Sequence, residues 1–338
     1  MALGGGLIVN PATLPSNSAS TGPGEGGASR GSTSKSEYTL LFAGDVMLSR
    51  TVGQRMAESG DWSLPFRLIA GDLSSADLRY CNLECPVSDR GRDQHHLYSF
   101  RADPQSIAGL RTAGFGVVSL ANNHAYDWGP EALLDSMDRL RQAAIEPVGA
   151  GQNFLAAHYP LLVHLGSLRI AFLAYVNIDP KGAEAGIDRP GVAWMDPAQV
   201  VADIRFSRPL ADLVVVCPHW GVEYAVRPTR AQVTLAHQMI DAGADVVVGS
   251  HPHVVQPLEN YHDHWIAYSL GNFIFDQQGP ATHRGQILRV TVRNQRVTRV
   301  YPLEIKINSS FQAELAPDEG FPPPMMANAD AGSTNPDE

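Results

Sequence analysis

The sequence predicts an α/β protein built on a mixed sheet. Short apolar runs alternate with helix-like segments through the middle of the chain, a pattern that places strands next to covering helices. Several of those runs end in polar clusters rich in Asp, Asn and His. Near the C-terminal end, two alternating segments flank Asn294-Gln295 and read as an antiparallel hairpin, so the sheet is not purely parallel.

Taken in order, the predicted strands are Tyr38–Ala43, Gly116–Leu120, Arg169–Val176, Leu213–Cys217, Val246–Val248 and Trp265–Ser269, followed by the hairpin Ile287–Val292 and Val297–Leu303. The predicted helices are Pro104–Ala113, Pro130–Ala144 and Thr229–Ala242. Pro130 stands near the start of the second, with Glu131 and Asp135 early and Arg139 and Arg141 late, which complements the helix dipole. Thr229 and Gly243 are the expected N-cap and C-cap of the third.

The folded unit is expected over residues 37–315. Residues 1–36 are rich in Gly, Ser, Thr and Pro, and 316–338 carry Pro322-Pro323-Pro324 with several acids. Both flanks bury too little apolar surface to offset their ordering entropy and are expected to be disordered. With 338 residues, 44% of them hydrophobic, the remainder can form a sizeable core. A net charge of -10 without a Lys/Arg block excludes a nucleic-acid partner. Cys81, Cys85 and Cys217 are too few for a disulfide scaffold and read as small buried hydrophobes. No apolar run reaches the roughly 18 residues of a membrane helix. The first twenty residues lack a basic n-region, so the sequence as it stands reads as cytoplasmic. A start lying upstream would change that expectation to a surface or periplasmic one.

Five polar clusters each follow an apolar run: Gly44-Asp45, Asn82-Leu83-Glu84, Asn122-Asn123-His124, His219-Trp220-Gly221 and His251-Pro252-His253. Ligands of α/β sheets bind beyond the carboxyl ends of strands, where such loops converge. A lone Asp after a strand is usually a turn or cap, and a lone His-Trp-Gly is usually packing plus a turn. Five clusters in one positional context are harder to explain that way. Proline between His251 and His253 is expected to hold both imidazoles on one side of an extended segment. Oxygen and imidazole donors without thiolate suit Mn, Fe or Zn, as one or two divalent ions. A carboxylate can bridge two such ions, and Asp45 and Glu84 are the anions available. The other histidines lack this context, although His95-His96 could line a cleft.

These clusters, in this order, resemble the CapA family of capsule and poly-gamma-glutamate biosynthesis proteins, within the metallo-dependent phosphatase-like superfamily. The stretches that carry the resemblance are LLFAGDVMLSR, CNLECPVS, VSLANNHAYDWG, VVVCPHWGVEY, DVVVGSHPHVVQPLE and IAYSLGNFIFD, spanning essentially the whole folded unit. The resemblance implies a four-layer α/β/β/α sandwich with mixed sheets, the calcineurin-like phosphoesterase fold. It implies that Asp45 and His253 bind a first metal, that Asn123, His219 and His251 bind a second, and that Glu84 takes the bridging place. His124 would face the substrate as acid or anion stabiliser.

Two departures stand out. The phosphoesterase pattern Asp-x-His is here Asp45-Val46-Met47, and a thioether is a poor ligand for a hard ion, so the first metal site loses a ligand. The acid expected directly after the motif histidine is replaced by Ala125, with Asp127 the nearest acid able to orient His124. Both make ordinary phosphodiester hydrolysis the less expected chemistry.

The expected function is therefore capsule or poly-gamma-glutamate-type polymer metabolism, through metal-dependent hydrolysis or acid/base chemistry at a peptide-like carbonyl, with His124, Asp127 and Glu223 as the catalytic candidates. The alternatives are a phosphoesterase for a small phosphate ester, a peptide epimerase, and a non-catalytic scaffold. The expected partners are a polymeric or peptide-like substrate and a polymer-synthase membrane complex. A polyanionic substrate would need basic residues at the cleft, and Arg90, Arg92 and Arg101, or Arg227 and Arg230, are the candidates.

Overall fold

The computed structural model describes residues 35–178 and 182–316. The disorder expected for the two flanks falls, but for a few residues, outside that range.

Along the chain, β1 (Glu37–Val46) leads into α1 (Arg50–Ser59) and α2 (Ala70–Leu73), then β2 (Leu78–Leu83). Next come α3 (Ile107–Ala113), β3 (Val117–Ser119), α4 (Gly129–Gln142), β4 (Glu146–Val148) and β5 (Ala150–Gly151). The second half opens with α5 (Phe154–His158), β6 (Leu161–Leu165), β7 (Leu168–Val176), β8 (Gly191–Val192), α6 (Pro197–Ser207) and β9 (Leu213–His219). It continues with α7 (Arg230–Asp241), β10 (Val246–Val248), β11 (Leu258–Tyr261), β12 (His264–Ala267) and β13 (Asn272–Ile274). The C-terminal strands are β14 (Arg284–Arg293), β15 (Arg296–Ile307) and β16 (Ala313–Leu315).

One sheet runs β16-β15-β14-β1-β2-β3-β4, with β13 also paired to β1, and the other runs β11-β12-β10-β9-β7-β6. In the first, β1, β2, β3 and β4 are mutually parallel while β14 joins β1 antiparallel. In the second, β7, β9, β10 and β12 are parallel, and β6 and β11 close the edges antiparallel. Both sheets are mixed, as the sequence predicts.

The side-chain alternation of the strands sorts the core into layers. Leu40 and Phe42 face inward and pack with Tyr80, Phe172, Val215 and Val246, so the two sheets lie face to face. Leu41 and Ala43 face outward and pack with Val52, Met56, Leu110 and Leu133 of α1, α3 and α4. On the far side Leu173, Val214 and Val247 pack with Ile204, Ala236 and Met239 of α6 and α7. The result is helices, sheet, sheet, helices: the four-layer sandwich. The central strands read as near-continuous apolar runs because each is covered on both faces.

Several local expectations need correction. The helix expected over Pro104–Ala113 opens as a 3-10 turn at Pro104–Ser106 before α3 begins. The third helix carries a full capping box between Thr229 and Gln232. Its C-cap, however, is Ala242, and Gly243 is the residue beyond it, with φ 117°. The hairpin is longer than expected, and Asn294 and Gln295 both adopt positive φ in its turn. The three cysteines are free and buried, and no described helix is long and apolar enough to cross a membrane.

Candidate metal centre

Asp45 reaches the centre through an irregularity in β1. Its pairing with β2 shifts register between Phe42 and Asp45, and with β13 between Asp45 and Val46. Such a bulge re-aims a side chain. Gly44 makes it sterically feasible, because a Cβ there would overlap the Gly271 carbonyl oxygen, which accepts the Asp45 N–H at 3.0 Å. Asn82 lies on β2 and Glu84 immediately after it, Asn123 and His124 follow β3, His219 ends β9, and His251 and His253 follow β10. The cluster therefore sits at the carboxyl ends of strands from both sheets.

Asp45, Glu84 and His219 are completely buried, and His251 and His253 nearly so. Asn82 ties the group together. Its Nδ2 donates to Asp45 Oδ1 at 2.8 Å and Glu84 Oε2 at 3.2 Å, and lies 3.3 Å from His219 Nδ1. His219 Nε2 lies 2.8 Å from Asn123 Oδ1. Asn122 Nδ2 donates to Asn82 Oδ1 at 3.1 Å and fixes that amide in turn. Asn272 Nδ2 donates to Gln277 Oε1 and to the Thr282 carbonyl, so its Oδ1 is the atom that meets His253 Nδ1, at 2.9 Å. That leaves His253 Nε2 turned inward, 3.6 Å from Glu84 Oε1.

The segment expected to be extended around Pro252 is not. His251 has φ 97° and His253 φ 59°. Proline restrains its own φ and disfavours a helical residue before it, but it does not prevent a left-handed one. Non-glycine residues held in this region store strain, and such strain clusters at functional sites.

His124 is anchored by Asp127, which is fully buried. Asp127 Oδ2 faces His124 Nδ1 at 2.8 Å and accepts the Phe100 N–H at 2.7 Å, while Oδ1 faces His96 Nδ1 at 2.9 Å. The Phe100 ring stacks on the His124 imidazole with centroids 3.9 Å apart. His96 thus belongs to the site. His95 is exposed.

The donor atoms gather into two sets, Asp45 with Glu84 and His219, and Glu223 with His251 and His253, each spread over no more than 4.8 Å. His253 Nδ1 also lies 3.4 Å from Asp45 Oδ2, so the two sets adjoin. Glu223, expected as an acid or base, stands among imidazoles at the exposed rim.

Electrostatics reflect the crowding. Burial, then the nearby His251, His253 and His124, holds His219 well below the ordinary imidazole range. Burial, then His253 and His124, lowers His251 to about 3. Burial also opposes charge on His253, but Glu84, Asp45 and Asn272 outweigh it and raise the group to about 9. Burial raises Glu84 as well. The carboxylates around His253 thus favour its charged form.

A family model described as "Bacterial capsule synthesis protein PGA_cap" matches residues 39–277. The chain belongs to this family. Among PGA_cap relatives, the capsule biosynthesis protein CapA of Bacillus anthracis is 32% identical over 304 residues, covering 87% of this chain and 71% of that one. The PGA biosynthesis protein CapA of Bacillus subtilis is 32% identical over 283 residues, covering 82% and 73%. A hypothetical protein from Thermus thermophilus shares the fold at TM-score 0.50 and 17% identity, over 79% of this chain and 99% of that one.

In this PGA_cap chain the thioether of Met47 is turned away from ligand duty. It is fully buried, and its sulfur accepts from the Ser49 N–H at 3.2 Å and the Ser49 hydroxyl at 3.1 Å. The remaining donors nevertheless fit a divalent ion. Glu84 Oε1 and His251 Nδ1 are buried without a hydrogen-bond partner among the described residues. Orphaned polar atoms of this kind carry a desolvation cost that an ion would relieve. The donors are carboxylate, amide oxygen and imidazole, with no thiolate in either set.

The sequence-level candidates for attracting a polyanion are turned elsewhere in part: Arg90 Nε faces Asp135 at 3.4 Å, and the Arg101 guanidinium lies 3.5 Å over the Trp128 ring. Asn82, in one of the five polar clusters, and Asn272, in the stretch IAYSLGNFIFD, are not among the ligand or catalytic residues the sequence points to. An amide seen singly in a sequence signals a turn.

Proposed function

We propose that the chain is a divalent-metal-dependent enzyme of capsule or poly-gamma-glutamate metabolism that hydrolyses an amide of the polymer. The observation that carries this reading is the pair of buried atoms without a hydrogen bond among the described residues, Glu84 Oε1 and His251 Nδ1, within a cluster of carboxylates and imidazoles. Asp45, Glu84, His219, His251 and His253, with Asn123 and Glu223, would hold one or two ions. A divalent ion there supplies Lewis acidity and a nucleophile at neutral pH.

The chain's own residues do the rest. Amide hydrolysis adds water across the C–N bond, hydroxyl to the carbonyl carbon and proton to the nitrogen. His124 delivers that proton: Asp127 fixes its Nδ1 and steadies the imidazolium, and Nε2 looks toward Glu84 Oε1 from 4.0 Å. Asn82 and Asn272 hold the ligands in place, and Phe100 shields one face of the imidazole.

The reading is tested by incubating Mn-loaded protein with a γ-linked glutamate oligomer and looking for new amine termini by mass spectrometry. Cleavage is expected, with kcat reduced at least about 100-fold in Asp127→Asn at unchanged metal content. Turnover of a chromogenic phosphodiester without cleavage of the oligomer would transfer the site to phosphoester chemistry. Deuterium uptake at an α-carbon without cleavage would make it an epimerase, and inertness toward all three would leave a scaffold.

The raised His253 gives an independent expectation. An ion needs the neutral imidazole, so binding must displace a proton. Affinity for Mn should rise with pH up to about 9 and fall by as much as about tenfold per unit below it. Calorimetric titration at pH 7.5 in buffers of different ionisation enthalpy should show net proton release on ion binding. Zero release would place the ion elsewhere.

A further inference from the structure

We infer that Arg50 docks a carboxylate of the substrate beside the metal centre. This rests on the metal-dependent reading above and adds the residue that answers its electrostatic difficulty. A protein of net charge -10 repels a polyanion approaching from solution unless a fixed cation meets it.

Arg50 has the placement for that task. Its guanidinium lies 5.2 Å from the Phe100 ring centroid, on the ring that stacks against His124 at 3.9 Å. The Tyr98 ring is 6.0 Å away, with Tyr98 exposed on the rim. Tyr224, also exposed, approaches the His253 ring at 6.4 Å. Arg50 and Tyr224 each adopt positive φ, 50° and 64°, so two bulky residues at the mouth are held in strained backbone.

The guanidinium is also preorganised. Asp276, almost fully buried, accepts from Arg50 Nη2 at 2.6 Å and Nε at 3.2 Å. The same carboxylate accepts the Thr51 N–H at 3.1 Å and so caps α1. Its charge is therefore met from two directions, by Arg50 and by the positive helix end. The outer edge of the fork remains partly exposed and has no bond among the described residues. A planar fork held on one edge and open on the other is suited to bidentate carboxylate recognition. In a γ-glutamyl unit roughly 5 Å separates the α-carboxylate from the γ-amide carbon by standard bond lengths. That length is comparable to the 5.2 Å between the Arg50 guanidinium and the Phe100 ring that stacks on His124.

The test is binding of a γ-linked glutamate decamer, and of the same decamer with every α-carboxylate amidated, to Mn-loaded protein by calorimetry. The parent should bind the acid form and discriminate against the amidated one by more than about tenfold in Kd. Arg50→Gln should lose that discrimination while keeping metal content. Asp276→Asn, which loosens the fork but leaves the cation, should keep part of it even if the protein is less stable. Undiminished discrimination in Arg50→Gln overturns the docking role alone. Equal loss in both variants, tracking a fall in Tm, reduces the pair to a structural clamp and overturns it too. No binding of either decamer by the metal-loaded parent overturns the polymer reading together with this one.

Discussion

Asp45→Asn protein, reconstituted with Mn and stripped of loose ions, is expected to retain almost no metal where the parent retains a stoichiometric amount. Replacing a group that merely orients a ligand typically costs 10–100-fold in affinity, so removing a buried carboxylate ligand should exceed about a hundredfold. Asparagine preserves shape and leaves an acceptor for Asn82 Nδ2, which keeps the fold intact and isolates the loss of charge. His251→Ala should do the same by removing an imidazole whose Nδ1 makes no hydrogen bond among the described residues. Mass-spectrometric metal content, with Tm as the control for folding, checks both. Full retention in either variant would show that the buried cluster is a hydrogen-bonded core, not a metal centre.

Gly44→Ala is expected to be strongly damaging for a single added methyl group. The added Cβ would overlap the backbone carbonyl of Gly271, which cannot rotate aside as a side chain can. The strand must move, and with it both the Asp45 N–H bond to that carbonyl and the bulge that aims the carboxylate. Overpacking of this sort costs about 3 kcal/mol or more when backbone is displaced. For a unit of this size that corresponds to a drop in Tm of roughly 6–12 °C. Metal content should fall as well, even at temperatures where the variant is folded. A variant with the parent's Tm and metal content would mean that β1 and β13 are not so closely apposed.

The long parallel strands were legible because burial on both faces gives them unbroken apolar runs, as at Leu213–Cys217 and Arg169–Val176. β2 was not, since Arg79 and Asn82 interrupt it; the first reaches back to the carbonyls of Leu73, Ala76 and Gly114, and the second serves the site. Helix α1 escaped notice for a related reason: its N-cap makes no side-chain bond, and Asp276, 225 residues downstream of Thr51, supplies one instead. The ligand residues could be read singly, each after its apolar run. Their grouping could not, because it depends on the left-handed backbone at His251 and His253 and on amides brought in from Asn82 and Asn272. Arg50 carried no signal at all until Phe100 and Asp276 were seen on either side of it.

Because Asp45 and Glu84 come from one sheet and His219, His251 and His253 from the other, the centre belongs to neither half of the molecule. A chain in which only the first sheet has formed offers two carboxylates and no imidazole from the far side, which is too poor a donor set to retain an ion against water. Capture of the ion would then report that both sheets have docked. Once bound, it would act as a rivet across the seam, and separation of the layers would have to wait for its release. Chelation should therefore speed unfolding more than it shifts the folded structure, a signature of resistance that is kinetic in origin.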